Sequence, residues 1–124
     1  MAKSQFRSNR KVSGKRYKDV RKKRLGDLGG LSALTQLGKQ RVKVKRVKGG
    51  NVKQSLLKTE FVYVNDKGKT TKLSIDSVAN NPANIHYSRR NIITKGAIVK
   101  TQKGDVRITS RPGQDGALFG VFLN

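Results

Sequence analysis

The first 24 residues carry eleven lysines and arginines against a single acid, Asp19, and hold almost nothing that a hydrophobic core could use. After Lys3, the bulky side chains that interrupt the charge are Phe6, Val12, Tyr17 and Val20. Burial of so few groups cannot offset the conformational entropy lost on ordering. A run of like charges also repels itself and stays extended until a polyanion neutralises it. The sequence therefore predicts an extended basic N-terminal arm over residues 1–24, with nucleic acid as the leading partner.

The charge of the chain is large and unevenly distributed. The 124 residues hold 29 basic and 7 acidic groups, a formal net charge of +22. Residues 1–50 contribute 17 basic and 2 acidic groups, whereas residues 51–124 contribute 12 and 5. A domain of this size needs a net charge of only about 2–8 to stay in solution. The surplus self-repulsion calls for a bound polyanion, and the more balanced second half is where we expect the folded core.

Residues 25–40 form a leucine-rich linker or docking strip that follows the arm along the chain. Its leucines recur at every third position: Leu28, Leu31, Leu34 and Leu37. This spacing fits a short amphipathic helix over residues 31–37 that ends at Gly38, and it also fits an extended or 3-10 path. The strip either docks on the folded domain, which is the simpler interpretation, or binds a partner.

From residue 41 onward the hydrophobic period changes from three to two, which is typical of β-strands. Six short strands follow, separated by turns rich in glycine, asparagine and aspartate. They run over residues 41–47, 56–64, 71–75, 97–101, 106–109 and 117–123. Consecutive strands with one apolar face curl into a sandwich or a small closed barrel. We therefore predict an all-β fold, a small six-stranded meander barrel over residues 41–124 with the long basic arm before it.

Particular strands and loops carry more detailed expectations. Lysine and arginine alternate with valine over residues 41–47, which predicts a half-buried strand with a cationic outer face. The next alternating run places Leu73 and Ile75 in the core, and residues 65–69 form a hairpin loop in which Gly68 supplies positive φ. Three aromatic side chains suit the core: either Phe61 or Tyr63, together with Phe119 and Phe122.

The side chains that enzymes and metal sites need are scarce. The chain has one histidine, His86, and no cysteine, which argues against a transition-metal site and against disulfides. The acidic residues within 51–124 are better explained as turn-forming residues and partners in local salt bridges than as paired general acids and bases of a catalytic site. No glycine-rich segment has P-loop spacing, and no apolar run approaches the ~20 residues of a membrane span. We therefore expect no enzyme activity, cofactor, metal, small-molecule substrate or membrane partner.

Basic side chains are the predicted RNA contacts, because lysine meets phosphate as a point charge and arginine grips it with a planar fork. In the arm the predicted contacts are Arg7, Arg10, Lys11, Lys15, Arg16, Lys18, Arg21, Lys22, Lys23 and Arg24. In the domain they are Arg41, Lys43, Lys45, Arg46, Lys53, Arg89, Arg90, Lys95 and Arg111. Tyr17 and Tyr87 lie among charges and are candidates for stacking on a base or ribose. So few aromatic platforms favour the shape and phosphates of a folded RNA over a free single strand.

Two segments of the chain resemble a known family. Residues 89–98 read Arg-Arg-Asn-Ile-Ile-Thr-Lys-Gly-Ala-Ile, and residues 110–116 read Ser-Arg-Pro-Gly-Gln-Asp-Gly. They are similar to the archaeal form of the archaeal and eukaryotic family of small-subunit ribosomal protein eight. Shorter similarities lie at Arg7-Ser8, Arg10-Lys11, Ser13-Gly14, Thr35-Gln36-Leu37-Gly38, Gly49-Gly50-Asn51-Val52-Lys53 and Asn81-Pro82-Ala83-Asn84. The resemblance covers essentially the whole chain in order, and residues 81–116 are its most specific part.

The resemblance implies a six-stranded barrel-like domain whose N-terminal extension is embedded in RNA. It also implies a structural constituent of the small subunit in the cytoplasmic ribosome, with small-subunit rRNA and neighbouring ribosomal proteins as partners. The chain lacks the long central insertion of the eukaryotic members, which favours the compact archaeal form. Two alternatives stay open, an assembly factor that leaves the ribosome and a DNA-compacting chromatin protein.

Overall fold

The computed structural model describes residues 4–66 and 68–123, and it is mostly β-structure. The chain divides into two compact units, Met1–Ser32 and Ala33–Asn124. In chain order the described strands are β1 (Thr35–Leu37), β2 (Arg41–Arg46), β3 (Val52–Thr59), β4 (Phe61–Asp66), β5 (Lys69–Asn80), β6 (Ile92–Ile93), β7 (Ile98–Thr101), β8 (Gly104–Ile108) and β9 (Phe119–Phe122). The described helices are α1 (Ile85–Arg89) and α2 (Pro112–Asp115), with 3-10 turns at Leu25–Asp27 and Lys48–Gly50.

Within the described residues, strands β4, β5, β7, β8 and β9 form a closed barrel in that order. Neighbouring strands pair antiparallel from β4 through to β9. At the seam β9 returns parallel to β4 and places Tyr63 opposite Phe119. The amide of Tyr63 donates to the carbonyl oxygen of Leu118 at 2.9 Å beside this seam. Closure leaves the barrel without open edges, which would otherwise invite pairing with another chain.

The hydrophobic core is built by the barrel strands together with Leu56 of β3 and Ile93 of β6. Every second residue of a barrel strand points inward, as the pleat of a strand requires. The buried apolar side chains that cluster here are Leu56, Val62, Val64, Leu73, Ile75, Val78, Ile93, Ala97, Val99, Val106, Ile108 and Leu118. Burial of Leu73 and Ile75 confirms the prediction from their period-two spacing. Each fully buried valine, leucine or isoleucine contributes about 1.5–3 kcal/mol relative to an exposed one.

The last strand contradicts part of the expected aromatic core. Phe119 is 46% exposed, whereas the prediction placed it inside. Gly120 occupies the buried position of β9, so its neighbours Phe119 and Val121 point outward. Phe122 is half-buried and packs against the core, as predicted.

A second sheet in the same unit has the order β2, β3, β1, β6 within the described residues. β2 and β3 form an antiparallel hairpin, and β1 lies parallel to β3 and antiparallel to β6. The hairpin turn contains Gly49 and Gly50 at φ of 79° and 77°. Glycine adopts this left-handed region without the steric cost that a Cβ would bring. Thr35 in β1 is buried, and its hydroxyl donates to the carbonyl oxygen of Leu56 at 2.6 Å.

The barrel of the described residues has five strands, so the prediction of six was wrong. The strand predicted over 41–47 exists as β2 but belongs to the second sheet. The strand predicted over 56–64 is two strands, β3 and β4, which meet at a corner at Glu60. There the hydroxyl of Thr59 bonds both the amide and the carbonyl of Phe61, at 3.2 and 3.0 Å. A continuous apolar and β-branched run gives no sign of such a corner, because both of its strands share the same composition.

Residues 35–37 form strand β1 and take the extended alternative of the leucine-rich strip instead of the helix. β1 is held from both sides, with Gln36 opposite Lys58 of β3 and opposite Ile92 of β6. Leu37 packs against the core, whereas Leu31 and Leu34 are exposed. The period of three in the leucines therefore does not report a buried helical face.

The predicted hairpin loop at 65–69 joins β4 to β5. Asp66 lies opposite Lys69, and Gly68 has a φ of 84°, the left-handed value expected for this position. The described residues of the loop agree with the prediction, and Lys67 lies outside them.

Gly120 is the point where β8 and β9 approach too closely for a side chain. A Cβ at Gly120 would lie 2.5 Å from Cγ1 of Val106 and 2.9 Å from the carbonyl oxygen of Arg107. We predict that Gly120→Ala destabilises the barrel by about 1–3 kcal/mol, because the backbone oxygen cannot move aside freely. Urea unfolding followed by circular dichroism measures the change.

Gly113→Ala is the matched control. Its added Cβ would make an ordinary contact, 3.7 Å from the carbonyl oxygen of Ala33. We expect this variant to stay within about 0.5 kcal/mol of the unmodified chain. Equal losses for the two variants would contradict the steric explanation.

Candidate nucleic-acid interface

All nineteen basic residues predicted to contact RNA are exposed, and Tyr87 is half-buried. They belong to both units: ten lie between residues 7 and 24, and nine lie between residues 41 and 111. Exposure leaves these side chains accessible to a polyanion, and the Arg21 guanidinium also pairs with the Asp27 carboxylate at 2.9 Å. The structure presents them on the folded arm, on the β2–β3 hairpin, on the loop that precedes β6 and in two turns.

The arm is folded back on itself and is not the fully extended segment that was predicted. Ser4 forms a bridge with Leu28, and the amide of Gln5 donates to the carbonyl oxygen of Asp27 at 2.7 Å. Between these ends the chain reverses again, where Arg10 bridges Arg16 around a turn at Gly14, which has a φ of 78°. The two reversals crowd the basic side chains of the arm into one compact unit.

Contacts between cations and aromatic rings contribute to the fold of the arm. The Arg7 guanidinium lies 4.2 Å from the ring centre of Tyr17, with the Lys11 ammonium at 5.5 Å from the same ring. The Arg21 guanidinium lies 4.5 Å from the ring centre of Phe6. Each such contact stabilises by about 0.5–1 kcal/mol at an exposed site. The prediction of an extended arm weighed buried apolar area and like-charge repulsion, and it overlooked these contacts.

The β2–β3 hairpin supports the second group of charges. Lys43 lies opposite Ser55, and Lys45 lies opposite Lys53. Opposite residues of an antiparallel pair share a face of the sheet, and alternate residues of one strand do so as well. Lys43, Lys45 and Lys53 therefore lie on one face, where their mutual repulsion favours the approach of phosphates.

Strand β2 is exposed along its whole length, so the prediction that it is half-buried was wrong. It is the terminal strand of its sheet, with β3 as its neighbour. Val42 and Val44 share a face with Arg46, and Arg46 lies opposite the exposed Val52. The alternation of charge and valine correctly predicted a strand, but it did not reveal that Val42 and Val44 are exposed.

Two asparagines fix the loop that presents Arg89 and Arg90. Asn81 is buried; its amide nitrogen donates to the carbonyl oxygen of Ile92 at 2.9 Å, and its side-chain oxygen accepts from the backbone amide of Ala83 and the Thr94 hydroxyl. At the other end the side-chain oxygen of Asn91, which has a φ of 49°, accepts from the amide of Val78 at 3.2 Å. The segment between them contains α1, which Asn84 caps. The arginine pair is thus held on a loop anchored at both ends.

Lys95 and Arg111 lie in turns of the same unit. Lys95 follows Thr94 in a turn closed by Ala97, whose amide donates to the Thr94 carbonyl oxygen at 3.1 Å. The amide of Arg111 donates to the Asp115 carboxylate at 2.6 Å, and this bond begins α2. The Ser55 hydroxyl donates to the Gly113 carbonyl oxygen at 2.7 Å, which sets α2 beside the β2–β3 hairpin. Arg111 therefore lies on an element that packs against the lysine-bearing hairpin.

Lys58 is a further exposed basic residue of the hairpin, and the sequence prediction missed it. It is exposed and lies opposite Arg41 in the β2–β3 ladder. Two like charges in opposite positions cost stability unless a counter-charge is present. The sequence did hold a signal for this residue. Lys58 interrupts an apolar run, and a lysine in such a run must lie on an exposed face of its strand.

No group of three or more histidine, cysteine, aspartate or glutamate side chains among the described residues could hold a metal ion. Within the same residues no helix is long and apolar enough to span a membrane.

A closed β-barrel, an adjoining sheet and a surface of exposed lysines and arginines define a small basic β-barrel protein. The family model for ribosomal protein S8e matches residues 4–123. The chain belongs to this family, which confirms the resemblance found in residues 81–116.

Curated archaeal relatives agree with this membership. The chain is 48% identical over 121 residues to the small ribosomal subunit protein eS8 of Methanocorpusculum labreanum, covering 96% of this chain and 97% of the relative. It is 46% identical over 121 residues to the protein of the same name from Nanoarchaeum equitans, covering 96% and 95%. The protein of that name from Methanococcus aeolicus is also 46% identical, over 123 residues, with coverage of 97% and 96%.

Asn81 should be essential for the stability of the arginine-bearing loop. We predict that Asn81→Ala destabilises the chain by about 2–3 kcal/mol, since it removes three hydrogen bonds and leaves buried partners unsatisfied. Guanidinium unfolding measures this loss. Asn80→Ala is the control, because Asn80 is exposed at the end of β5, and it should change stability by less than about 0.5 kcal/mol. A similar loss in both variants would show that Asn81 is not the anchor.

Proposed function

We propose that the chain is a structural constituent of the small ribosomal subunit, where it binds folded rRNA and performs no catalysis. Its archaeal relatives carry the name small ribosomal subunit protein eS8. The single observation that carries the RNA-binding role is the net charge of +22 displayed on exposed lysines and arginines of both units. Such a density of positive charge is stable beside an equally dense array of phosphates. We place the chain in the cytoplasmic ribosome, with neighbouring ribosomal proteins as further partners.

We assign a separate role to each of three segments of the chain. Residues 1–24 are the RNA-binding arm, which lies between RNA helices, and residues 25–40 are the linker or docking strip. Residues 41–124 are the barrel-like domain, which meets RNA through surface side chains. The proposed contacts are the nineteen basic residues named above together with Tyr87.

The β2–β3 hairpin and the loop that carries Arg89 and Arg90 suit recognition of RNA shape. Lys43, Lys45 and Lys53 share one face of a hairpin, and Arg89 and Arg90 lie on a loop anchored by two asparagines. Charges held in fixed positions meet a fixed pattern of phosphates at a lower entropy cost than charges on mobile segments. Phosphate contacts of this kind set the position and orientation of a protein on its nucleic acid.

Electrostatic binding should be visible in its salt dependence. If the chain neutralises roughly 8 phosphates of an rRNA fragment, the slope of log K against log salt should be about −6 to −7. The double variant Lys43→Gln, Lys45→Gln should reduce the size of that slope by roughly 1.5, because two phosphate contacts are lost. Filter binding at several salt concentrations measures both quantities.

The control removes the same charge from positions outside the proposed contacts. Lys100 and Lys103 are exposed on β7 and in the turn after it. Lys100→Gln with Lys103→Gln should leave the slope nearly unchanged. Equal effects of the two double variants would show that net charge, not the hairpin face, determines binding, and a slope near zero for the unmodified chain would contradict the electrostatic account.

The arm should be needed for stable incorporation into the subunit. Removal of residues 1–24 eliminates eleven basic groups, so we predict a folded domain that no longer sediments with small subunits in sucrose gradients. Thermal unfolding of the shortened chain checks that its fold is retained. Normal incorporation of the shortened chain would refute the role of the arm.

Two further measurements separate the proposal from its rivals. One copy per mature subunit supports a structural constituent, whereas presence in precursors alone supports an assembly factor. Competition between rRNA fragments and duplex DNA tests the chromatin alternative, which requires DNA to compete on equal terms.

A further inference from the structure

The folded-back arm contains a cavity of about 320 Å³. Phosphate binding does not account for the aromatic and acidic residues that line it. Its lining combines the rings of Phe6 and Tyr17 with basic side chains and the carboxylates of Asp19 and Asp27. Ligand cavities in proteins span about 300–1,000 Å³. This cavity lies at the small end of that range and suits one nucleobase with its sugar.

Phe6 provides the apolar surface on which a base could stack. Its ring is 62% exposed, and the Arg21 guanidinium lies 4.5 Å from its centre. Arg21 is fixed in turn by Asp27, whose carboxylate accepts from the guanidinium at 2.9 Å. The ion pair thus orients the arginine and the arginine backs the ring, while the exposed part of the ring remains open to a ligand. Exposed aromatic rings stack on unpaired bases in most sequence-specific RNA recognition.

The Asp19 carboxylate adds a hydrogen-bond acceptor to the cavity. A phosphate, which is itself an anion and an acceptor, cannot bind to it. Asp19 is the single acid among the first 24 residues. Within the described residues its carboxylate takes part in none of the salt bridges or side-chain hydrogen bonds. A carboxylate weakens attraction to phosphate, so its position in a basic cavity that Phe6 and Tyr17 also line points to a ligand group that donates hydrogen bonds.

An ionised carboxylate only accepts hydrogen bonds, and it can accept two side by side. Guanine presents two neighbouring donors, N1–H and N2–H, on its Watson–Crick edge. Adenine and cytosine present one amino donor beside an acceptor nitrogen, and uracil presents one N–H between two carbonyl oxygens. The acceptors on those three bases would repel the carboxylate, so guanine is the base that fits.

We propose that this cavity binds a single extruded guanine of the RNA, stacked on Phe6 and hydrogen-bonded through its Watson–Crick edge to Asp19. Lys22 and Lys23, which line the same cavity, are placed to contact the adjoining phosphates. This inference rests on the proposed function, because it takes RNA as the partner. It adds base specificity to a protein whose other contacts read charge and shape.

The test uses the full chain and four RNA hairpins that differ only in one bulged nucleotide, with an unbulged hairpin as reference. We expect the bulged guanine to bind about 5- to 150-fold more tightly than the other three bases, since one mismatched base contact costs about 1–3 kcal/mol. Asp19→Asn should abolish that preference, and Phe6→Leu should weaken all bulged hairpins while leaving the unbulged one unchanged. Fluorescence anisotropy at constant salt measures each affinity.

Asp76→Asn is the matched control, since it removes the same charge from an exposed position on β5. This variant should keep the preference for guanine. Equal affinity for all four bulges, or a preference that survives Asp19→Asn, would overturn the guanine site. The proposed function fails separately, if the unmodified chain shows no salt-dependent binding to rRNA fragments at all.

Discussion

The parallel ladder between β4 and β9 is the interaction on which the rest of the structure depends. It joins the first and last strands of the barrel, with Tyr63 opposite Phe119 and Val64 opposite Gly120. The rings of Tyr63 and Phe119 pack 5.7 Å apart along this seam. A chain of this length buries a small core, and its charge works against compaction. An open seam would expose that core and two strand edges together, so closure is what lets so basic a chain keep a folded domain.

The second constraint is the separation of charge from the core. The charged residues of the barrel strands point outward or lie in turns, and among the described residues the buried polar ones are neutral threonines and one asparagine. Neutral groups can be satisfied by local hydrogen bonds, as Asn81 is by its three partners, whereas a buried lysine would need a counter-charge. The fold therefore uses short polar side chains to position its loops and leaves nearly every lysine and arginine at the surface.

Sequence reasoning predicted the all-β class, most strand positions and the exposure of the basic residues, because these follow from local alternation and charge. It was wrong where the outcome depended on contacts distant in sequence. The corner at Glu60 and the placement of β2 outside the barrel depend on which strands pair, and composition does not report pairing. The fold of the arm depends on Arg7 and Arg21 reaching Tyr17 and Phe6, contacts that a count of apolar residues ignores. The family resemblance identified the chain, but the six-stranded barrel that it implied was wrong.

The exposed strand β2 has a consequence for the chain before it meets RNA. A terminal strand can recruit a second copy by edge-to-edge pairing, and lysines along such a strand are a common defence. Here Lys43 and Lys45 lie on that strand beside the open valines, so mutual repulsion between copies keeps the edges apart. At 1 M salt the screening length falls to about 3 Å, and that defence disappears. We therefore expect the RNA-free chain to self-associate as ionic strength rises, which makes early capture by RNA a safeguard against aggregation.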